Sequence, residues 1–111
     1  MSTSSPALVI PKITWLTHEF QINLHNANWR AVAGLYIFAA KNSEGKWFPL
    51  YIGQAESLAA RLPTHERWQE ALRLGATHVH ARVVLEEAAR CEVERQLIQA
   101  YQPRLNVHHR Q

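Results

Sequence analysis

Along this chain the period of the apolar positions changes several times, and each change marks an element. Gly34-Leu35-Tyr36-Ile37-Phe38-Ala39-Ala40 is an apolar run of strand length, and Trp47 to Gly53 is a second one. Asn42, Ser43, Glu44 and Gly45 lie between them, residue types that close a hairpin. In such an antiparallel pair side chains alternate with period two, so Tyr36 and Tyr51 are expected to point toward a common face. Thr77 to Leu85 alternates as well: Thr77, Val79, Ala81 and Val83 fall on one side and His78, His80 and Arg82 on the other, which predicts a third strand.

Helical patterns fill the rest of the second half. Ala55 to Leu62 has helical composition, and Pro63 stops or kinks it because proline lacks the N–H and clashes with the preceding turn. Thr64 to Leu74 resumes as a helix with Trp68, Ala71 and Leu74 in one stripe and Gly75 placed to end it. Glu86 to Tyr101 is the longest helix, stopped by Gln102-Pro103, with Val93, Leu97, Ile98 and Tyr101 on its apolar face. Glu94 falls inside that arc, because Leu97, Ile98 and Tyr101 follow it at helical spacing. A carboxylate there is costly unless an Arg pairs with it or a metal binds it, and periodicity leaves both readings open. Ahead of the hairpin the pattern weakens. Residues 1–12 read as a frayed Ser-, Thr- and Pro-containing tail, and Lys12 to Asn28 as a short strand or an irregular wrap over the core. His18 and His25 read as surface residues, since nothing nearby supplies a ligand set.

Composition narrows the picture. A chain of 111 residues makes one domain. With 47% apolar residues, four Trp and no run of membrane length, a soluble globule without membrane association is expected. The start shows no basic region ahead of a hydrophobic stretch, and the single Cys91 permits no internal disulfide; both favour a cytoplasmic setting. The net charge of +3 rests mainly on Arg, the cation suited to bidentate phosphate contacts, and favours an anionic partner. There is no Asp, so carboxylate chemistry falls to Glu. His78 and His80 with His108-His109 could in principle hold Zn²⁺, but a polar strand face and an exposed tail is the simpler reading. Cys91 lacks metal-like spacing and has an acidic neighbour, which does not suit a thiol nucleophile.

The chain resembles the GIY-YIG nuclease family. Gly34-Leu35-Tyr36 stands for the first half of the motif and Tyr51-Ile52-Gly53 for the second; Arg61 follows Tyr51 by ten residues, His65 follows Arg61 by four, and Glu94 begins a run through Leu97-Ile98, Pro103 and Asn106 that looks like the family's closing helix and loop. The match covers roughly residues 33–107. The resemblance implies an α/β (α+β) fold, a small three-stranded antiparallel sheet flanked by helices, with residues 1–32 as an extension, 33–107 as the catalytic domain and 108–111 as a tail. It implies an endonuclease that hydrolyses phosphodiester bonds in nucleic acid, most readily DNA, with Mg²⁺ or Mn²⁺ held by Glu94 as the sole protein ligand. Arg61 would hold the scissile phosphate. Tyr36 would activate the water with help from His65, Tyr51 would orient water or phosphate, and Asn106 would be a hydrogen-bonding support. Gly53 and Gln54 would lie against substrate. Gln54 departs from the Lys of many relatives, Pro63 interrupts the Arg61–His65 spacing, and the fifteen residues from Tyr36 to Tyr51 imply an enlarged hairpin. A domain this small has little surface for reading bases, so a homodimer, a protein partner or residues 1–32 would supply specificity. The alternative reading is a catalytically silent nucleic-acid-binding or protein-interaction module on the same scaffold.

Overall fold

Five antiparallel strands, not the expected three, form the sheet in the computed structural model, which describes residues 10–106. In chain order the elements are β1 (Lys12–Trp15), β2 (His18–Asn23), β3 (Gly34–Lys41), β4 (Trp47–Ala55), α1 (Leu58–Arg61), a 3₁₀ turn (Leu62–Thr64), α2 (Glu66–Arg73), β5 (His78–Val83) and α3 (Glu87–Tyr101). The strands lie in the order β1-β2-β5-β3-β4. The two additional strands come from the segment whose pattern was too broken to read. Ile13 and Trp15 on β1 and Phe20 and Ile22 on β2 do alternate, but Leu16-Thr17 closes them into a hairpin without a glycine or asparagine to announce it. Leu16 adopts φ 57 there, a left-handed conformation costly for a branched side chain, and its N–H donates to Tyr101 Oη at 3.0 Å. The tail reading of residues 1–9 and the His108-His109 pair lie outside the described residues.

β3 is continuously apolar because it is central: β4 flanks one side, β5 the other, and both of its faces are covered. One face carries Tyr36, Phe38 and Ala40 against Leu58, Leu62, Trp68 and Ala71 from the α1–α2 region. The opposite face carries Leu35, Ile37 and Ala39, with Ile52, against Leu97 and Ile98 of α3 and Trp15 and Phe20 of the hairpin. β5 departs from its expected polar face. His80 is fully buried; Trp15 Nε1–H donates to its Nδ1 at 3.0 Å, and the Trp47 ring stands edge to face with it at 4.7 Å. His25 is likewise no simple surface residue: its ring stacks on Trp68 at 4.2 Å and its Nε2 meets the Leu62 carbonyl at 3.0 Å. Among the described residues no helix is long and apolar enough to cross a membrane.

Candidate active site

Strand register brings the two tyrosines together. Tyr36 lies opposite Gly53 and Phe38 opposite Tyr51, so both phenols stand on the α1–α2 face with ring centroids 6.3 Å apart. A bulge between Phe38 and Ala39 leaves Leu50 without a partner on β3, which absorbs one residue of the long spacing. Gly53 has a specific task in this arrangement. A Cβ at that position would stand 2.6 Å from Tyr36 Oη, so only glycine lets the phenol lie over the strand.

Pro63 breaks the helix that would otherwise join α1 to α2, and the break makes His65 the N-cap of α2. Its Nδ1 accepts the Arg67 N–H at 3.0 Å, so in the neutral ring the proton resides on Nε2. Nε2 is 2.9 Å from Tyr36 Oη and therefore donates to the phenol oxygen. The imidazole is packed edge to face on Tyr36, Phe38 and Tyr51 at 4.9–5.4 Å between centroids. Burial, reinforced by the Arg61 charge, pushes His65 down to about 4, so it stays neutral at pH 7.

Arg61 ends α1 and makes a two-pronged ion pair with Glu66, Nη1 to Oε1 at 2.8 Å and Nη2 to Oε2 at 2.9 Å. Its charge also acts on the Tyr36 phenol. The Arg61 partner Glu66, in the first turn of α2, was absent from the sequence reading; its one sequence signal is its place beside His65 just past the proline break. Burial raises both phenols above the ordinary tyrosine value; at Tyr36 the Tyr51 charge adds to this, Arg61 opposes the rise at both, and the Glu94 carboxylate adds to it at both. Glu94 thus lies within electrostatic reach of the two tyrosines. It is half-buried on α3 at the margin of the Val93, Leu97 and Ile98 stripe.

Two further residues are placed by α3 and the segment after it. Asn106, 1% exposed, pairs with β4 as a strand would: Ile52 N–H donates to Oδ1 at 2.8 Å and Nδ2–H donates to the Ile52 carbonyl at 2.8 Å. Gln54 turns toward α3, where its Oε1 accepts from Arg90 Nε at 2.8 Å and its Nε2–H donates to Cys91 Sγ at 3.1 Å. Arg90, also missed from sequence, is 3% exposed and donates to the Val84 and Leu85 carbonyls. No group of three or more His, Cys, Asp or Glu among the described residues forms a metal cage. A cation here would have one carboxylate, water and substrate as ligands, an arrangement that suits Mg²⁺.

Among solved structures the chain is similar to the GIY-YIG N-terminal endonuclease domain of UvrC from Thermotoga maritima bound to its catalytic magnesium, at 28% identity over 69% of this chain and 85% of that one, with a TM-score of 0.57. It is similar also to a point-mutant form of the same domain bound to its catalytic divalent cation, at 30% identity over 69% of this chain and 84% of that one, with a TM-score of 0.55. No protein-family model and no curated protein sequence matches the chain.

Proposed function

Given that the chain belongs to the GIY-YIG endonuclease family, we propose that it is a divalent-metal-dependent endonuclease hydrolysing phosphodiester bonds in DNA. The observation that carries this reading is the convergence of Tyr36, Tyr51, His65 and Arg61 on one face, with the Glu94 charge acting on both phenols. Glu94 fits a hydrated Mg²⁺ or Mn²⁺, because a half-buried carboxylate keeps a side open to water and phosphate. When bound, such a cation supplies positive charge that offsets the carboxylate's effect on the phenols and takes up charge on the phosphate oxygens.

Arg61 binds the scissile phosphate through the fork that Glu66 occupies in the free protein, and steadies the extra negative charge as the phosphorus gains its fifth oxygen. The exposure of the two phenols favours assigning them the reverse of the roles expected from sequence. Tyr36 is 1% exposed, receives the His65 donor and feels the Arg61 charge, so it suits a fixed acceptor that orients its neighbours. Tyr51 is half-buried and open on one side, which suits the group that meets the attacking water and takes its proton. Asn106 positions Ile52, the residue between Tyr51 and Gly53, and so sets the pose of that phenol.

Cleavage of labelled single-stranded, duplex, flap and branched DNA with Mg²⁺ or Mn²⁺ tests the proposal, with Glu94→Gln as the control. The wild type should cut at least one form and Glu94→Gln none, with an unchanged fold by circular dichroism. Cleavage by the Gln variant at the wild-type rate would remove Glu94 as metal ligand. Binding without cleavage by the wild type would leave a silent binding module.

A further inference from the structure

The β1–β2 hairpin does more than widen the sheet. Together with the segment that follows it, it walls an open cleft of ≈ 420 Å³, within the roughly 300–1,000 Å³ range of clefts that hold small ligands. Lys12, Arg30 and Arg82 line it against a single carboxylate, Glu19. Among the described residues that carboxylate pairs with Lys12 alone, in an exposed pair at 3.7 Å. Among the described residues Arg82 pairs with no carboxylate: Nη1 donates to the Glu19 backbone carbonyl at 3.1 Å, and its buried Nε meets no acceptor. A guanidinium left with a spare donor in a basic cleft is a place for an anion. Asn23, Asn28 and the half-buried Trp29 ring complete the wall.

The cleft is tied to the candidate active site by α1. Leu58, its first residue, lines the cleft, and Arg61 is its last. Leu58 N–H donates to the Val32 carbonyl at 2.9 Å and Ala59 N–H to the Arg30 carbonyl at 3.0 Å, so Arg30 is fixed at one end of a single turn whose other end carries the phosphate-binding arginine. That turn is about 5 Å long, close enough for one nucleic-acid strand to meet both. We propose that this cleft holds the single-stranded stretch of substrate flanking the scissile phosphate, Lys12, Arg30 and Arg82 meeting its phosphates and Trp29 a base. A basic groove with an aromatic wall is the usual way to hold a single strand without reading its sequence. The proposal rests on the nuclease reading and locates a strand-binding surface on the amino-terminal hairpin.

Fluorescence anisotropy with labelled oligothymidylates tests it, using Glu94→Gln protein so that nothing is cut. Lys12→Ala/Arg30→Ala should weaken binding of a strand of about twenty nucleotides by roughly tenfold, and lower the slope of log affinity against log salt by about 1.4, the value for two lost contacts on a single strand. Lys12→Arg/Arg30→Lys should restore both slope and affinity, which a mere loss of folding would not allow. Equal affinity and slope for the alanine variant overturns the cleft while leaving the nuclease reading intact. Absence of both binding and cleavage in the wild-type protein overturns both.

Discussion

In the free protein Arg61, the proposed phosphate holder, is already paired. Its fork is filled by Glu66, whose carboxyl is pulled down to about 2, chiefly by that hydrogen-bonded pair. An exposed pair of this kind is worth about 1 kcal/mol or less, so substrate displaces it at a modest cost. Glu66→Gln should therefore lower KM by up to about fivefold, with a small loss of stability from the missing first-turn charge of α2; a raised KM would mean that Glu66 aims Arg61 instead of competing for it. The tyrosines separate by pH. Tyr51→Phe should cost about 10²–10⁴ in rate and flatten the alkaline rise of the pH–rate profile, whereas Tyr36→Phe should lower the rate and keep the profile's shape. The opposite pattern would return the base to Tyr36. The identities Tyr36, Tyr51, Arg61, His65, Glu94 and Asn106 were legible because their intervals are a family spacing. The direction of the His65–Tyr36 hydrogen bond was not, since it depends on a backbone N–H from Arg67 that appears only once Pro63 has turned the chain. Nor was the use of Gly53, which is set by a ring on the adjacent strand and by no neighbour in sequence.

At the scale of elements, β4 is an edge strand that is covered on its outer side. Pro49 is tolerated because that side lacks a pairing strand, and the edge is then closed by the Leu105 N–H on the Leu50 carbonyl at 3.0 Å and by the Asn106 amide on Ile52. Asn106→Ala leaves a buried N–H and a buried carbonyl unpaired, and should destabilise the fold by about 2–4 kcal/mol in urea unfolding. Asn106→Asp keeps the acceptor but sets a carboxylate against the Ile52 carbonyl, so it should rescue little; full rescue would mean that the donor half of the clamp is idle. The strands and helices from Gly34 onward lie close to their expected places, because long runs with one clear period leave few alternatives. α1 shrank to Leu58–Arg61 because β4 runs on through Ala55 and Ser57 then caps the helix by accepting from Ala60 N–H at 3.2 Å. β1 and β2 were hidden by their turn, whose left-handed Leu16 is held by a tyrosine 85 residues away.

Over the whole molecule, two buried histidines link stability to acid. His65 and His80 are each pushed from 6.5 down to about 4, first by burial. Between those values the unfolded chain takes up protons that the native protein refuses, so stability is complete above pH 6.5 and falls as pH drops toward 4. The urea midpoint should decline across that window, and His65→Gln should remove about half of the decline; an unchanged slope would place the acid sensitivity elsewhere. The sheet's true width was the largest feature that sequence left unread, because pairing of β2 with β5 joins residues near 22 to residues near 80 and leaves no local mark. Chain order has a further consequence for the Asn106 clamp. As the polypeptide leaves the ribosome, Tyr36, Tyr51 and Arg61 emerge well before Glu94, and Asn106 follows later still. A nascent chain therefore carries Arg61 and both tyrosines before the carboxylate that completes the proposed site. Over the same interval the outer edge of β4 stands open, so crowded polysomes are where neighbouring copies have their chance to zip together along that strand.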